Sequence, residues 1–427
     1  MSRERRYLSA AAAGTFQRLA QIVATLILMP RLLAVLGIRD FGVWGSATSL
    51  VWLSGLVDIG VGTALVTLVA RARAAGRPAE ARDHLTSALA TGSAIALLAL
   101  AVCAIVYFAS GRNPALFPML IAIAGLALNA PLNSASNTWM ALQKGHISSF
   151  WELVQTILAL GLTLSAAAFS RNVCLFIAIM YAALVLSNLG SLTHLFLAHP
   201  ELRPSARINI RDARQVFAEG FLLVAVNIAG GLSFLFDNIL ALQLLGPEAA
   251  ARMTIALRIC MSGLGLLQVA SQPLWPAFVE AAHHRDRHWI RNTLVRSIST
   301  LTALSLAGGV ILVVFGPQLL KVWLHSSLGI GRPLLFAISA WLVAQAIVRV
   351  PLLVLNGLSI IRFQVVVISI ATAIALAVKL TFASAINVSG FLWTTALAVL
   401  CFTIPLLFWR LARWDRNVDN LDGINHQ

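Results

Sequence analysis

Seven charged side chains interrupt apolar runs long enough to cross a bilayer: Arg18, Asp58, Asp237, Arg258 and Arg349 well inside them, Arg31 and Arg296 nearer their ends. A charge at mid-bilayer costs at least roughly 2.5 to 3.5 kcal/mol on insertion scales, so each of these groups needs water or a partner. The residue types define what they could do. A guanidinium presents a planar fork that suits a diphosphate, and a carboxylate beside it can let go of the guanidinium on protonation or bind a coupling cation. Arg31 and Arg296 are close enough to the headgroups to snorkel, which makes them poor site candidates.

Spacing limits which of these groups can meet. Arg18 and Asp58 stand at equal distances from the turn near Ile38, so an antiparallel hairpin brings them to similar depth in the inner half of the membrane. Asp237 and Arg258 flank Pro247 in the same way, in the outer half of the second group of helices. Either pair could be a structural ion pair that orients its hairpin, or a site. Arg349 has no carboxylate nearby in sequence, so its partner comes from another helix or from a cargo. Gln17, Gln21, Asn227, Asn238, Gln268 and Gln272 give polar stripes to their helices, as interhelical glue or as the lining of a sugar-conducting path. The substrate-binding candidates are therefore Arg18, Arg258, Arg349, Gln21 and Asn227, and the coupling or gating candidates are Asp58 and Asp237. Cys103, Cys174, Cys260 and Cys401 lie singly in apolar segments as packing residues, without metal or redox spacing. His283, His284 and His288 beside Asp286 read as a solvated loop rather than a metal site. Neither a catalytic acidic motif nor a Gly-rich phosphate loop is present, so the sequence calls for no enzyme activity, no cofactor and no evident use of ATP.

The elements that must position these residues are set by composition. Of 427 residues 59% are hydrophobic and 11% charged, too few polar groups to coat a soluble surface. The apolar runs are unbroken, without the alternation of a barrel, so they are helices. Twelve spans are expected, at 8–36, 41–70, 85–110, 116–142, 149–170, 174–197, 217–246, 251–281, 292–316, 331–357, 364–384 and 389–409. The net charge of +15 is dealt out by loop rather than gathered on one face, which argues against a nucleic-acid partner. One side holds Arg3, Arg5, Arg6, Arg71, Arg73, Arg77, Arg82, Lys144, Arg203, Arg207, Arg211, Arg214, Arg285, Arg287, Arg291, Arg362, Arg410, Arg413 and Arg416. The other holds Arg39, Arg112, Arg171, Arg252, Lys321, Arg332 and Lys379. The positive-inside rule puts the first side, and both termini, in the cytoplasm. The basic start of the chain precedes an apolar stretch interrupted by Gln17, Arg18 and Gln21, which reads as an uncleaved first helix.

The polar stretch 199–216 divides the chain into a six-helix lobe at 1–198 and another at 217–412, followed by a cytoplasmic tail at 413–427. Leu36-Gly37 closes the outer end of helix one as Leu245-Gly246 closes that of helix seven, and Pro131 in helix four has a counterpart in Pro351 of helix ten. These matches point to duplicated lobes, a common transporter plan. Pro30, Pro273, Pro276 and Pro405 also fall within spans, where proline kinks a helix.

The stretch RLLAVLGIRDFGVWGSATSLVWLSGLVDIGVGTALVTLVARARAAG, from Arg31 to Gly76, resembles the opening of the polysaccharide transport family, the Wzx-type O-antigen and exopolysaccharide flippases. QVASQPLWPAFVEAAHHRD, from Gln268 to Asp286, and PLLVLNGLSIIRFQ, from Pro351 to Gln364, carry the same likeness. The resemblance implies the multidrug/oligosaccharidyl-lipid/polysaccharide exporter fold, all-α, with two six-helix lobes around a central cavity lined by helices one, two, seven and eight. It implies as cargo an undecaprenyl-diphosphate-linked oligosaccharide, moved across a bacterial inner membrane, with membrane lipids and the polysaccharide polymerase machinery as partners. A cation-coupled drug antiporter of the same fold is the alternative. A major-facilitator transporter is disfavoured because RARAAGRPAEARDH lacks that family's Gly/Asp/Arg loop signature. Peptidoglycan-precursor flippases of the superfamily have two further helices, for which the chain has no room.

Overall fold

The computed structural model describes residues 3–53, 61–205, 236–271, 274, 277, 278, 281, 286–325, 328–358, 360–382 and 385–424. The chain folds into two compact units, Met1–Gly231 and Leu232–Gln427. It is an all-α integral membrane protein. Ten helices among the described residues are long and apolar enough to cross a membrane. The other two expected spans are the second, which runs on from the first and whose course includes residues 54–60 outside the description, and the seventh, described only over Phe236–Leu245.

In the first unit, α1 (Arg3–Ser49) contains both the first span and the start of the second, joined at Gly37 with φ 73 and ψ 172. Only glycine reaches that backbone region at little cost. A short 3-10 turn (Leu50–Leu53) follows, and α2 (Val61–Ala74) completes the second span. Next come α3 (Pro78–Ala109), α4 (Phe117–Leu132), α5 (Ser134–Ala141), α6 (Gly145–Ala166) and α7 (Val173–Ala198). The fourth span is two helices meeting at Asn133, two residues beyond Pro131, whose missing N–H leaves the Ala127 carbonyl without its helical partner. At that point α3 comes so close that a Cβ on Gly92 would stand 2.8 Å from the Pro131 Cα. Asn188 on α7 donates to Asn129 on α4 (2.7 Å), and the Tyr181 hydroxyl donates to the Ala47 carbonyl (2.8 Å). These are the polar ties between helices that lipid cannot supply. One apolar core gathers Leu65, Leu85, Trp139 and Leu195 from α2, α3, α5 and α7.

The second unit opens with α8 (Phe236–Leu245), whose last turn is π-helical (Ala241–Leu245). Gly246 turns the chain into α9 (Pro247–Ser271) with φ 92 and ψ 174, the same unusual conformation as Gly37. The two Leu-Gly matches are thus one backbone turn used twice. Then follow α10 (Arg287–Leu324), α11 (Arg332–Gly357), α12 (Ile361–Thr381), α13 (Val388–Ala398), a π turn (Val399–Thr403) and α14 (Ile404–Ile424). Helices α10 and α11 close-pack where a Cβ on Gly309 would meet Ser339 at 3.0 Å, and the Ser339 hydroxyl donates to the Gly309 carbonyl (3.2 Å). Of the cysteines expected to pack, Cys260 is buried while Cys401 is exposed, so the packing role does not extend to Cys401.

Candidate functional site

Each unit holds membrane-embedded charges of its own. In the first, α1 packs against α6 closely enough that a Cβ on Gly14 would stand 3.7 Å from the Ser149 Oγ. One turn along from Gly14, Arg18 lies within electrostatic reach of Glu152 on α6, and its Nη1 is buried without a hydrogen-bond partner. The Ser148 hydroxyl donates to Glu152, and Ser148 and Ser136 on α5 share a 2.5 Å contact between hydroxyls. Gln21 is exposed, and its backbone carbonyl accepts from the Thr25 hydroxyl (2.8 Å). Asp58, expected as the partner of Arg18, lies outside the described residues, as do Asn227, Gln272, His283 and His284.

In the second unit the expected pairing of Asp237 with Arg258 gives way to another. The Asp237 Oδ1 accepts from the Lys379 Nζ at 2.5 Å, both side chains being fully buried, while Oδ2 has no hydrogen-bond partner. Lys379 also donates to Thr395 on α13 (2.6 Å). The physical reason is that distance along one hairpin says nothing of a third helix: α12 lies beside α8 and offers an ammonium at the same depth. Lys379, in the last turn of α12, is therefore not the loop charge that hydropathy made it. Asn238 is tied to Thr254 through its Nδ2 (3.0 Å), which makes it interhelical glue. Arg258 is half-buried on α9, one turn from the buried Thr254. Arg349 on α11 donates from Nε to the Ser271 Oγ on α9 (2.6 Å), so a neutral hydroxyl is one of its partners. Arg31 and Arg296 are exposed, as snorkelling requires.

Sequence reasoning missed Glu152 and the role of Lys379. The one available signal for Glu152 was its place in an apolar run, with Trp151 before it and Leu153-Val154 after it. Among the described residues no cluster of His, Cys, Asp or Glu can hold a metal ion. The carboxylate of Glu152 lies within reach of the Arg18 guanidinium in the first unit, and in the second the Lys379 ammonium neutralises Asp237.

A model of a family described as polysaccharide biosynthesis proteins matches residues 9–282. No protein of curated function matches the sequence. Among solved structures, an inward-facing multidrug resistance MATE family transporter of the MOP superfamily is similar with a TM-score of 0.76 at 14% identity, covering 93% of this chain and 98% of that one. The lipid II flippase MurJ, in an inward closed conformation, gives 0.75 at 12% identity, covering 94% and 87%. A Vibrio cholerae MATE transporter gives 0.66 at 15% identity over 98% of both chains. At such identities the likeness is one of fold.

Proposed function

We infer, since this chain belongs to the polysaccharide biosynthesis protein family, that it is a flippase carrying an undecaprenyl-diphosphate-linked oligosaccharide across a bacterial inner membrane for surface polysaccharide assembly. The observation that carries this reading is Arg18: a guanidinium inside a membrane span whose Nη1 is buried and unbonded is a place prepared for an anion. A diphosphate offers paired oxygens at the spacing the guanidinium fork needs. Arg258 and Arg349 provide further guanidiniums, and Gln21 a polar group one turn from Arg18. In this reading Arg18 and Arg258 replace the hydration of the diphosphate in turn, and Arg349 is a further contact for the substrate.

The membrane potential favours the direction. Each negative charge moved outward through 100 mV, inside negative, gains about 2.3 kcal/mol. Without arginines the anion would meet low-dielectric walls at a cost exceeding that gain. Both termini are cytoplasmic in this reading, and the polymerase that extends the glycan is the downstream partner.

Deletion of the gene, followed by analysis of lipid-linked intermediates, tests the assignment. Accumulation of undecaprenyl-linked oligosaccharide with loss of surface polysaccharide is the expected result. Unchanged surface polysaccharide with raised sensitivity to cationic drugs would replace it with the antiporter reading.

A further inference from the structure

A helix presents the same face at intervals of three, four, seven and eleven residues. On α6 the face carrying Ser148, Ala159 and Thr163 is buried, and Glu152 belongs to it by spacing, yet Glu152 is exposed. On α1 the face carrying Gln17, Ala24 and Leu28 is buried, and Gln21 belongs to it, yet Gln21 is exposed. Two polar residues are thus open on faces otherwise turned into protein, while Phe150 and Ile157, on the opposite side of α6, are 54% and 58% exposed. Glu152 is exposed while Arg18 of the neighbouring helix lies within electrostatic reach, and an ionisable group so placed within a span calls for water rather than lipid beside it. Arg18 is one turn from Gln21 on the same helix and within electrostatic reach of Glu152.

Of the groups facing Glu152 from the helices packed on α6, Arg18 of α1 is the charged one acting on it. Helix α5 contributes Ser136 through Ser148, and His194 of α7 is engaged by the Trp151 indole, whose Nε1 donates to its Nδ1 at 3.3 Å.

We propose that Glu152 is the resident counter-ion of Arg18, displaced as a neutral acid when an anionic phosphate group binds there, so that each anion bound takes up one proton. The proposal rests on the diphosphate reading of Arg18 given above. An empty site leaves a guanidinium in the membrane, and Glu152 neutralises it. An arriving diphosphate brings its own negative charge, and two anions on one guanidinium repel each other. An exposed carboxylate within a span needs water beside it, and from that water Glu152 takes a proton, with no bond made or broken besides that to the proton. By linkage the same proton must favour anion binding, so affinity rises as pH falls through the titration of Glu152.

The test uses the full chain in lipid nanodiscs and undecaprenyl diphosphate as the probe, with its affinity measured from pH 5 to pH 9. One proton taken up per anion steepens the dependence by about tenfold in Kd per pH unit. The probe's own titration is common to all variants, so the difference between slopes isolates Glu152. Glu152→Gln should bind as tightly as the wild type at low pH and lose that extra slope, and Glu152→Asp should keep it. An unchanged slope in Glu152→Gln, with binding still dependent on Arg18, would overturn the counter-ion role and leave the diphosphate reading standing. Failure of the wild type to bind at any pH, or binding indifferent to Arg18→Ala, would overturn both.

Discussion

Lys379 and Asp237, 142 positions apart in sequence, meet at 2.5 Å with neither side chain reaching solvent. Replacing Lys379 with Met leaves a buried carboxylate uncompensated, a loss of about 3–5 kcal/mol. Thermal unfolding in detergent should show a sharply lowered midpoint, accompanied by a reduced level in the membrane. The double variant Asp237→Leu with Lys379→Met removes both charges and should recover most of the loss. A single Lys379→Met variant as stable as the wild type would exclude a structural role for the pair.

Arg18→Ala and Arg258→Ala should each abolish polysaccharide export while the protein stays in the membrane near its normal level. Lys at either position should rescue only in part, because an ammonium lacks the bidentate fork. Export assayed beside membrane abundance decides the matter: normal export by an Ala variant present at wild-type level removes that arginine from the diphosphate path.

Reporters fused after Arg77, Arg207 or Arg287 should register as cytoplasmic, since the loops they report on hold much of the positive charge. A periplasmic signal at any one of them would break the twelve-span arrangement.

Gly37→Ala and Gly246→Ala should destabilise to a similar degree, about 1–3 kcal/mol each. Nothing lies within 4 Å of a Cβ added at either position, so the cost is purely that of holding a non-glycine residue at φ 73 or φ 92. Gly161→Ala, in the interior of α6 with equally open surroundings, serves as the control and should stabilise by up to about 1 kcal/mol. Equal midpoints for all three variants would show that the two turns tolerate other conformations.

How much could be read beforehand depends on the range of the interaction. Spans are written in runs of apolar residues, and the repeated Leu-Gly turn was visible because only glycine meets its backbone demand. Pro131 marked the break in the fourth span for an equally local reason. Arg18, Asp237 and Arg349 were conspicuous because charge in an apolar run is rare. Their partners were not legible: Glu152 is 134 positions from Arg18, and Ser271 is 78 from Arg349. Lys379 was misread for the opposite reason. It stands so near the end of its span that hydropathy cannot separate a buried last turn from the loop beyond, and only the packing of α12 settles it.

The separation of Asp237 from Lys379 also sets an order of events during synthesis. At about 5–20 residues per second, a ribosome that has made Asp237 needs roughly 7–30 s to make Lys379. Through that interval the seventh span sits in the bilayer with its carboxylate unmatched. Nascent chains halted before Lys379 therefore carry a polar mark within the membrane that completed chains lack.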